Sequence, residues 1–260
     1  MNRFSATTIA ALGLAACWGV SPASAQETTE AVPAEGGWSF ALTPYAWFIA
    51  IKGDVATFKG APPINVDADF SDIIDQTNGA VLLAGEARRD RFGLLFDINY
   101  LDLSGKGDTP GQLFGDAEMD SRTLFSDIAG FYEVGRDDLF SLDLYAGARL
   151  WYVDTEVNLR AGLLPNRTDQ NSEAWADPLV GVRGQALLGH GFFLQGAADY
   201  GGFHVGSKNT WQVLGTLGYD FNDRLSARAG YRYLSVDYED NGFVWDVDIH
   251  GPIIGLTWRF

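Results

Sequence analysis

Alternation of apolar and polar residues is the feature that most constrains the fold of this chain. From Phe92 to Tyr100 an apolar side chain stands at every second position, with Gly, Leu, Asp and Asn between. The same period recurs from Phe140 to Tyr152 and from Leu225 to Tyr233. Neighbouring residues of a strand point to opposite faces, so this period predicts β-strands. No apolar run after Gly37 approaches the roughly 18 residues of a transmembrane helix.

Ten such segments follow one another, and their connections alternate between tight turns and longer loops. The long loops are predicted at 53–75, 105–118 and 154–173. Short turns at one end and long loops at the other, with an even strand count, are typical of outer-membrane β-barrels. The predicted strands are 38–52, 76–89, 91–104, 119–134, 139–153, 174–189, 191–204, 208–221, 224–239 and 243–260.

The charged residues at mid-strand indicate which face lies inside. They stand on the face opposite the Phe, Leu, Ile and Tyr residues, whereas a soluble barrel would place its apolar face inside. We therefore expect an all-β fold, a transmembrane antiparallel up-and-down β-barrel of about ten strands, with eight or twelve as alternatives. The predicted lumen charge network comprises Glu86, Arg88, Asp97, Asp127, Asp143, Arg149, Arg183, Asp199, Arg228 and Arg232.

This network is balanced, because five of its residues are acidic and five are basic. Buried ions need partners of the opposite sign, so we expect salt bridges that fill a narrow barrel. The alternative is a small water-filled channel with a charged constriction. Ten strands are well below the roughly 16–18 strands of open porins, which disfavours a wide pore.

Aromatic residues near the strand ends predict two girdles at the membrane interfaces. Trp38, Phe140, Trp151, Trp245 and Trp258 are among them.

Two prolines concern the closure of the barrel. Pro44 and Pro252 lie in the first and last strands, which must pair, and proline cannot donate to a ladder. They predict a bulged seam. Alternatively, residues 55–58 and 64–70 form an additional hairpin and raise the strand count to twelve.

The first residues are typical of a secretory signal peptide. Arg3 supplies a positive charge, an uncharged and mostly apolar stretch follows, and small residues end at Ala25, near which cleavage is expected. Alternatively, a lipobox-like stretch ending at Cys17 would make that cysteine a lipid anchor. The predicted organisation is a signal peptide at 1–25, a flexible periplasmic leader at 26–37 and the barrel at 38–260.

The last strand carries a pattern that resembles the C-terminal assembly signal of outer-membrane proteins. Ile254, Leu256, Trp258 and Phe260 alternate with Gly255, Thr257 and Arg259. The resemblance implies that the outer-membrane assembly machinery recognises this strand.

The stretches LTPYAWF, GLLFDINYLDL and GYRYLSVDYEDNGF are similar to a family of small proteobacterial outer-membrane barrels. This resemblance implies a location in the outer membrane of a Gram-negative bacterium, with lipid and lipopolysaccharide as surroundings. It implies no particular activity.

The net charge of −16 argues against nucleic acid as a partner, because phosphate binding needs a basic surface. Acidic residues instead crowd the predicted outer side. We expect a solvated, repulsive surface there, with divalent cations that bridge to lipopolysaccharide phosphates as the alternative. The acidic residues concerned are Asp54, Asp67, Asp69, Asp72, Asp75, Asp237, Glu239, Asp240, Asp246 and Asp248.

The expected role is a structural or surface protein, or a narrow solute channel, without catalysis, cofactor or metal. The alternative is a hydrolase at the extracellular rim. Asp248 and His250 share a strand face and are similar to the Asp-x-His pair of omptin proteases, whose His and carboxylates activate a water. A second pair, His204 and Ser207, resembles that of a lipid A deacylase, although its spacing departs from the His-x-Ser of that family.

Overall fold

The computed structural model describes residues 37–56, 63–108 and 114–260. The predicted signal peptide at 1–25, with Cys17, and the leader up to residue 36 lie outside the described residues, so they stay predictions. Within the described ranges, no helix is long and apolar enough to cross a membrane.

The described chain contains twelve strands and one short helix. They are β1 (Ser39–Trp47), β2 (Ala50–Ala56), β3 (Ile64–Ala68), α1 (Phe70–Gln76), β4 (Thr77–Arg89), β5 (Phe92–Asp108), β6 (Phe114–Arg136), β7 (Phe140–Ala161), β8 (Arg167–Gly189), β9 (Phe192–Gly201), β10 (Asn209–Asp220), β11 (Leu225–Asp240) and β12 (Phe243–Arg259).

These strands form a closed antiparallel barrel of ten strands, which confirms the predicted fold and count. From β4 to β12 each strand pairs with the next, and β1 pairs with both β4 and β12. The halves β1 and β2 form one barrel strand, because both pair with β12. β3 pairs with β2, so the predicted extra hairpin exists without enlarging the barrel.

The seam between the first and last strands is interrupted where a proline requires it. Trp47 is opposite Ile253 and Ala50 is opposite His250, which leaves two residues on each strand outside the regular ladder. The Phe48 amide donates to the Pro252 carbonyl at 2.9 Å. The same ladder is also interrupted at Pro44, which keeps its register with β4. The register of β12 is unchanged across both prolines, so the seam is interrupted there without the predicted bulge.

The strands β6, β7 and β8 continue far beyond their predicted ends, so the expected loops at 105–118 and 154–173 are largely strand. The pairing of β7 with β8 continues to Leu159. The aliphatic alternation stops at Asp154 because the outward face leaves the lipid there, although the hydrogen-bond ladder does not stop. These three strands therefore project past the membrane on the long-loop side, which is the extracellular side.

The apolar face is on the outside of the barrel. Leu94 and Leu144 expose 57% and 50% of their surface, although both are aliphatic. Phe140 and Tyr152 mark two aromatic levels on β7, separated by about 40 Å of strand, or about 30 Å across the membrane at a typical tilt. That distance matches the thickness of the hydrocarbon core, about 30 Å.

An arginine at Leu144 should destabilise the barrel by about 2–4 kcal/mol, because this site faces lipid between the two aromatic levels. Urea unfolding in lipid vesicles measures this change. The matched control is Leu163→Arg, since Leu163 lies in the β7–β8 connection and is 74% exposed. Equal stability of both variants and the wild type would contradict the assignment of the lipid face.

Deletion of Phe260 should lower the amount of protein assembled in the outer membrane several-fold. Phe40 and Phe260 exchange two backbone hydrogen bonds of 3.0 Å, and their rings stack at 5.9 Å. The deletion therefore removes both the end of the closing ladder and the expected assembly signal. Heat-modifiable migration of outer-membrane fractions on gels reports the folded fraction. Substitutions of Glu27 and Glu30 serve as controls, and normal levels of the deletion variant would refute the expectation.

Candidate functional site

Inward side chains between the two aromatic levels form a layer of ion pairs, here called the central charge layer: Arg149 and Arg232 with Asp97, Asp127 and Asp199. The Arg149 guanidinium donates to both carboxylate oxygens of Asp127 at 2.7 and 3.0 Å and to Asp199 at 3.1 Å. A further bond of 3.0 Å goes to Thr210. Arg149 is 0% exposed, so carboxylates and hydroxyls replace its hydration shell.

Arg232 extends this layer to the opposite wall. Its Nη1 lies 2.8 Å from Asp97 and donates to the Tyr45 hydroxyl at 2.9 Å, while Nε donates to Gln212 at 2.7 Å. The guanidinium also lies 4.6 Å from the Trp47 ring centroid, within cation–π range. One side chain of β11 therefore contacts β1, β5 and β10.

A second layer, the periplasmic charge layer, lies nearer the short turns. Arg88 bonds Glu86, Glu133 and Asp143 at 2.9, 2.7 and 2.7 Å. Arg183 pairs with Glu86 and Asp143 at 2.8 and 2.9 Å. The two guanidiniums lie over the Phe131 ring, each 4.5 Å from its centroid.

Glu133 belongs to this layer, although it is not part of the predicted lumen charge network. It is 4% exposed and also pairs with Arg136. Glu133 is two residues after Phe131 and therefore lies on the same inward face of β6. This spacing is the sequence pattern that could have identified it.

Arg228 departs from the expectation that every lumen arginine has a carboxylate partner. Its Nη1 donates to Gln195 at 2.6 Å, and Nε is buried without an acceptor. Among the described residues no carboxylate forms an ion pair with it. The prediction of a carboxylate partner for Arg228 is therefore wrong.

Above the central charge layer, aromatic and aliphatic side chains fill the lumen; we call this set the aromatic layer. Trp151 stacks on Phe125 and Trp175, with ring centroids 4.8 and 5.4 Å apart, and Trp175 stacks on Tyr238 at 3.9 Å. Trp151 is 2% exposed, and Trp245 is also buried. Their predicted place in the lipid-facing girdles is therefore wrong. The other members are Trp47, Val153, Leu234, Val236, Phe243, Val247 and Ile249.

The two residues of the omptin-like alternative lie on the outward face of β12. Asp248 stands opposite Ser235 and Lys52, and His250 opposite Tyr233. The His250 Nδ1 is 2.8 Å from the Tyr231 hydroxyl, and its ring stacks on Tyr233 at 5.6 Å. Ile249, between Asp248 and His250, points inward and belongs to the buried aromatic layer. Asp67 pairs with Lys52 at 3.0 Å, and Asp69 caps α1.

In the deacylase-like pair, the Ser207 hydroxyl is not hydrogen-bonded to the His204 side chain. The Ser207 hydroxyl donates to Asp177 at 2.8 Å and accepts from the Trp175 indole at 3.0 Å. Ser207 and Asp177 are both 0% exposed, whereas His204 lies on the surface. This Ser207 network fastens the β9–β10 connection to the inner wall.

The acidic residues of the extracellular wall stand side by side. Asp246 of β12 is in register with Asp237 and Asp54 on the two neighbouring strands. Partial burial, and then the charges of Asp237, Asp248 and Asp54, raise the pKa of Asp246. Lys208 offsets part of this charge at 3.3 Å from Asp237. In the described part of the chain, no group of three or more His, Cys, Asp or Glu side chains is placed to hold a metal ion. Cation bridging to lipopolysaccharide stays a prediction.

Replacement of Arg149 by leucine should cost about 3–5 kcal/mol of folding stability, because it leaves Asp127 and Asp199 charged and without their main partner. Denaturant unfolding followed by tryptophan fluorescence measures the loss. The control is Arg167→Leu, whose exposed pair with Asp169 should contribute less than about 1 kcal/mol. Similar small losses in both variants would show that the Arg149 pair is hydrated.

No protein-family model matches the sequence, and no curated protein matches it. Solved structures do match. The outer-membrane protease OmpT from Escherichia coli has a TM-score of 0.53 at 12% identity, over 86% of this chain and 97% of that chain. The transport unit of the autotransporter AIDA-I from Escherichia coli has a TM-score of 0.43 at 8% identity, over 91% and 93%. Ail from Yersinia pestis has a TM-score of 0.35 at 10% identity, over 87% and 99%. The likeness to OmpT shows that this chain has the fold of an outer-membrane β-barrel.

Proposed function

We propose that this protein is a non-catalytic structural or surface barrel of the outer membrane, with a lumen closed to solutes. The observation that carries the proposal is the burial of side chains across the lumen at two successive levels. Arg149 and Arg232 are 0% and 3% exposed in the central charge layer. Trp151 and Leu234, in the aromatic layer above, are 2% and 0% exposed.

A hydrated channel would leave the side chains that line it accessible to water. The central charge layer instead connects five different strands through hydrogen bonds of 2.7–3.1 Å, among them the bonds of Arg149 to Asp127 and Asp199. Opening a path would strand at least one buried charge, at a cost of several kcal/mol. The geometry therefore favours a filled barrel over the narrow solute channel.

The hydrolase alternative has less support. His250 faces outward and its Nδ1 is engaged with Tyr231, while the inward face at the same level is occupied by Ile249, which is 4% exposed. A general base needs a substrate and a water within hydrogen-bond reach. The likeness to OmpT concerns the fold, and the two candidate residues do not line an inward cleft.

Planar-bilayer recordings test the closed lumen. The purified wild type should give no sustained conductance, and Arg232→Ala should reduce stability by up to about 3–5 kcal/mol because it strands Asp97. Arg122→Ala is the control, since Arg122 is 60% exposed outside the lumen. Sustained wild-type conductance, with ion selectivity that Arg232→Ala shifts at unchanged stability, would identify a channel and overturn the proposal.

Peptide and lipid A hydrolysis assays test the absence of catalysis. The wild type, reconstituted with lipopolysaccharide, should show no turnover beyond that of a His250→Ala variant. Turnover by the wild type that His250→Ala and Asp248→Ala both abolish would establish the hydrolase alternative instead.

A further inference from the structure

A cavity of about 890 Å³ lies at the short-turn end of the barrel, and residues of the periplasmic charge layer line part of it. We call it the periplasmic chamber. Its walls come from β1, from β4 and from each of the strands β6 to β12. It is lined by six arginines, four carboxylate side chains and Phe260, so basic side chains outnumber acidic ones, which is the reverse of the overall excess of acid in the chain. The arginines are Arg88, Arg136, Arg183, Arg224, Arg228 and Arg259.

Most of these arginines are neutralised by carboxylates. Arg88 and Arg183 share Glu86 and Asp143. Arg136 pairs with Glu133, which lies behind the chamber wall, and Arg259 pairs with Asp220 at 2.9 Å. The two remaining arginines, Arg224 and Arg228, form no ion pair with any carboxylate in the described part of the chain.

Arg228 is the deeper of these two. Its hydrogen bond to Gln195 brings no negative charge, and its Nε–H is buried without an acceptor. The charges of Arg259 and Arg183 repel it, and the carboxylates of Glu86 and Asp220 offset part of this repulsion without forming an ion pair with it. Arg228 is half-buried and lines the chamber without a carboxylate at ion-pair distance, whereas buried ions are ordinarily paired.

We propose that the periplasmic chamber is a binding site for a phosphate-type oxyanion, with Arg228 as its principal donor. The forked N–H groups of a guanidinium match the oxygens of phosphate, and such charge-assisted bonds are about twice as strong as neutral ones. A chamber of about 890 Å³ accommodates a small phosphorylated solute as well as the free ion. Because the lumen above is filled, the ligand enters and leaves on the periplasmic side. This inference goes beyond the proposed structural role.

The test uses the full chain folded in a detergent micelle, with inorganic phosphate as the probe and chloride at matched ionic strength as the reference. Titration calorimetry gives the affinity, and the thermal midpoint gives the stabilisation by bound ligand. The wild type should bind phosphate and gain stability in it. Arg228→Met should lose at least about tenfold in affinity, as expected for the loss of a charged hydrogen-bond donor.

Two further variants keep the test decisive. Arg122→Met removes an equal charge on the extracellular side and should bind phosphate like the wild type. Asp220→Asn frees Arg259 and should tighten phosphate binding, which gives a readout even where Arg228→Met folds poorly. Without phosphate, Arg228→Met should be at least as stable as the wild type, since it removes a cation that has no counter-ion.

The proposal is overturned if the wild type shows no phosphate binding beyond the chloride reference. It is also overturned if Arg228→Met and Arg122→Met weaken binding equally, because that result would indicate general charge screening. Neither result depends on conductance, so the closed-lumen proposal stands or falls separately.

Discussion

The bond network of one fully buried cation, Arg149, sets the conditions for the rest of the structure. Lipid surrounds the barrel, so the outward face cannot carry this charge, and the lumen must solvate it. Asp127 and Asp199 do so from two different strands. The hydrogen bonds of Arg149 connect β7 with β6, β9 and β10 inside the lumen. These strands therefore lie close together, and no space for water is left beside the guanidinium. The polar interior is thus a tight core, not a wet one.

The membrane boundary then explains why the lumen changes character along its length. Below the boundary, β11 places Arg228 and Arg232 inward and Tyr231 outward. Above it, the same strand places Leu234, Val236 and Tyr238 inward and acidic residues outward. The solvent of the outer face has changed from lipid to water, so the extracellular part folds like a soluble barrel, with apolar residues inside. The aromatic layer is the core of that part.

The change of polarity at the membrane boundary limits what the alternation in the sequence can predict. Alternation predicted ten strands and their facing within the membrane, because lipid imposes one polarity on one face over a whole strand. The alternation no longer predicts a strand from Asp154 onward. There the outward face of β7 becomes polar while its inward face becomes apolar, and the resulting sequence resembles a loop. The position of Trp151 near a strand end predicts a girdle residue, whereas its phase in the alternation of β7 places it inward. Glu133 and the missing partner of Arg228 depend on side chains from strands far apart in sequence, which periodicity cannot specify.

The two ends of the barrel carry surfaces of opposite charge. The extracellular wall carries the row of Asp54, Asp246 and Asp237, where partial burial and then repulsion between neighbours raise the pKa of Asp246. The periplasmic chamber concentrates arginine instead. No ion pair joins the two across the aromatic layer, among the residues described, so no direct contact neutralises either surface. Each end therefore presents its own charge to its own compartment.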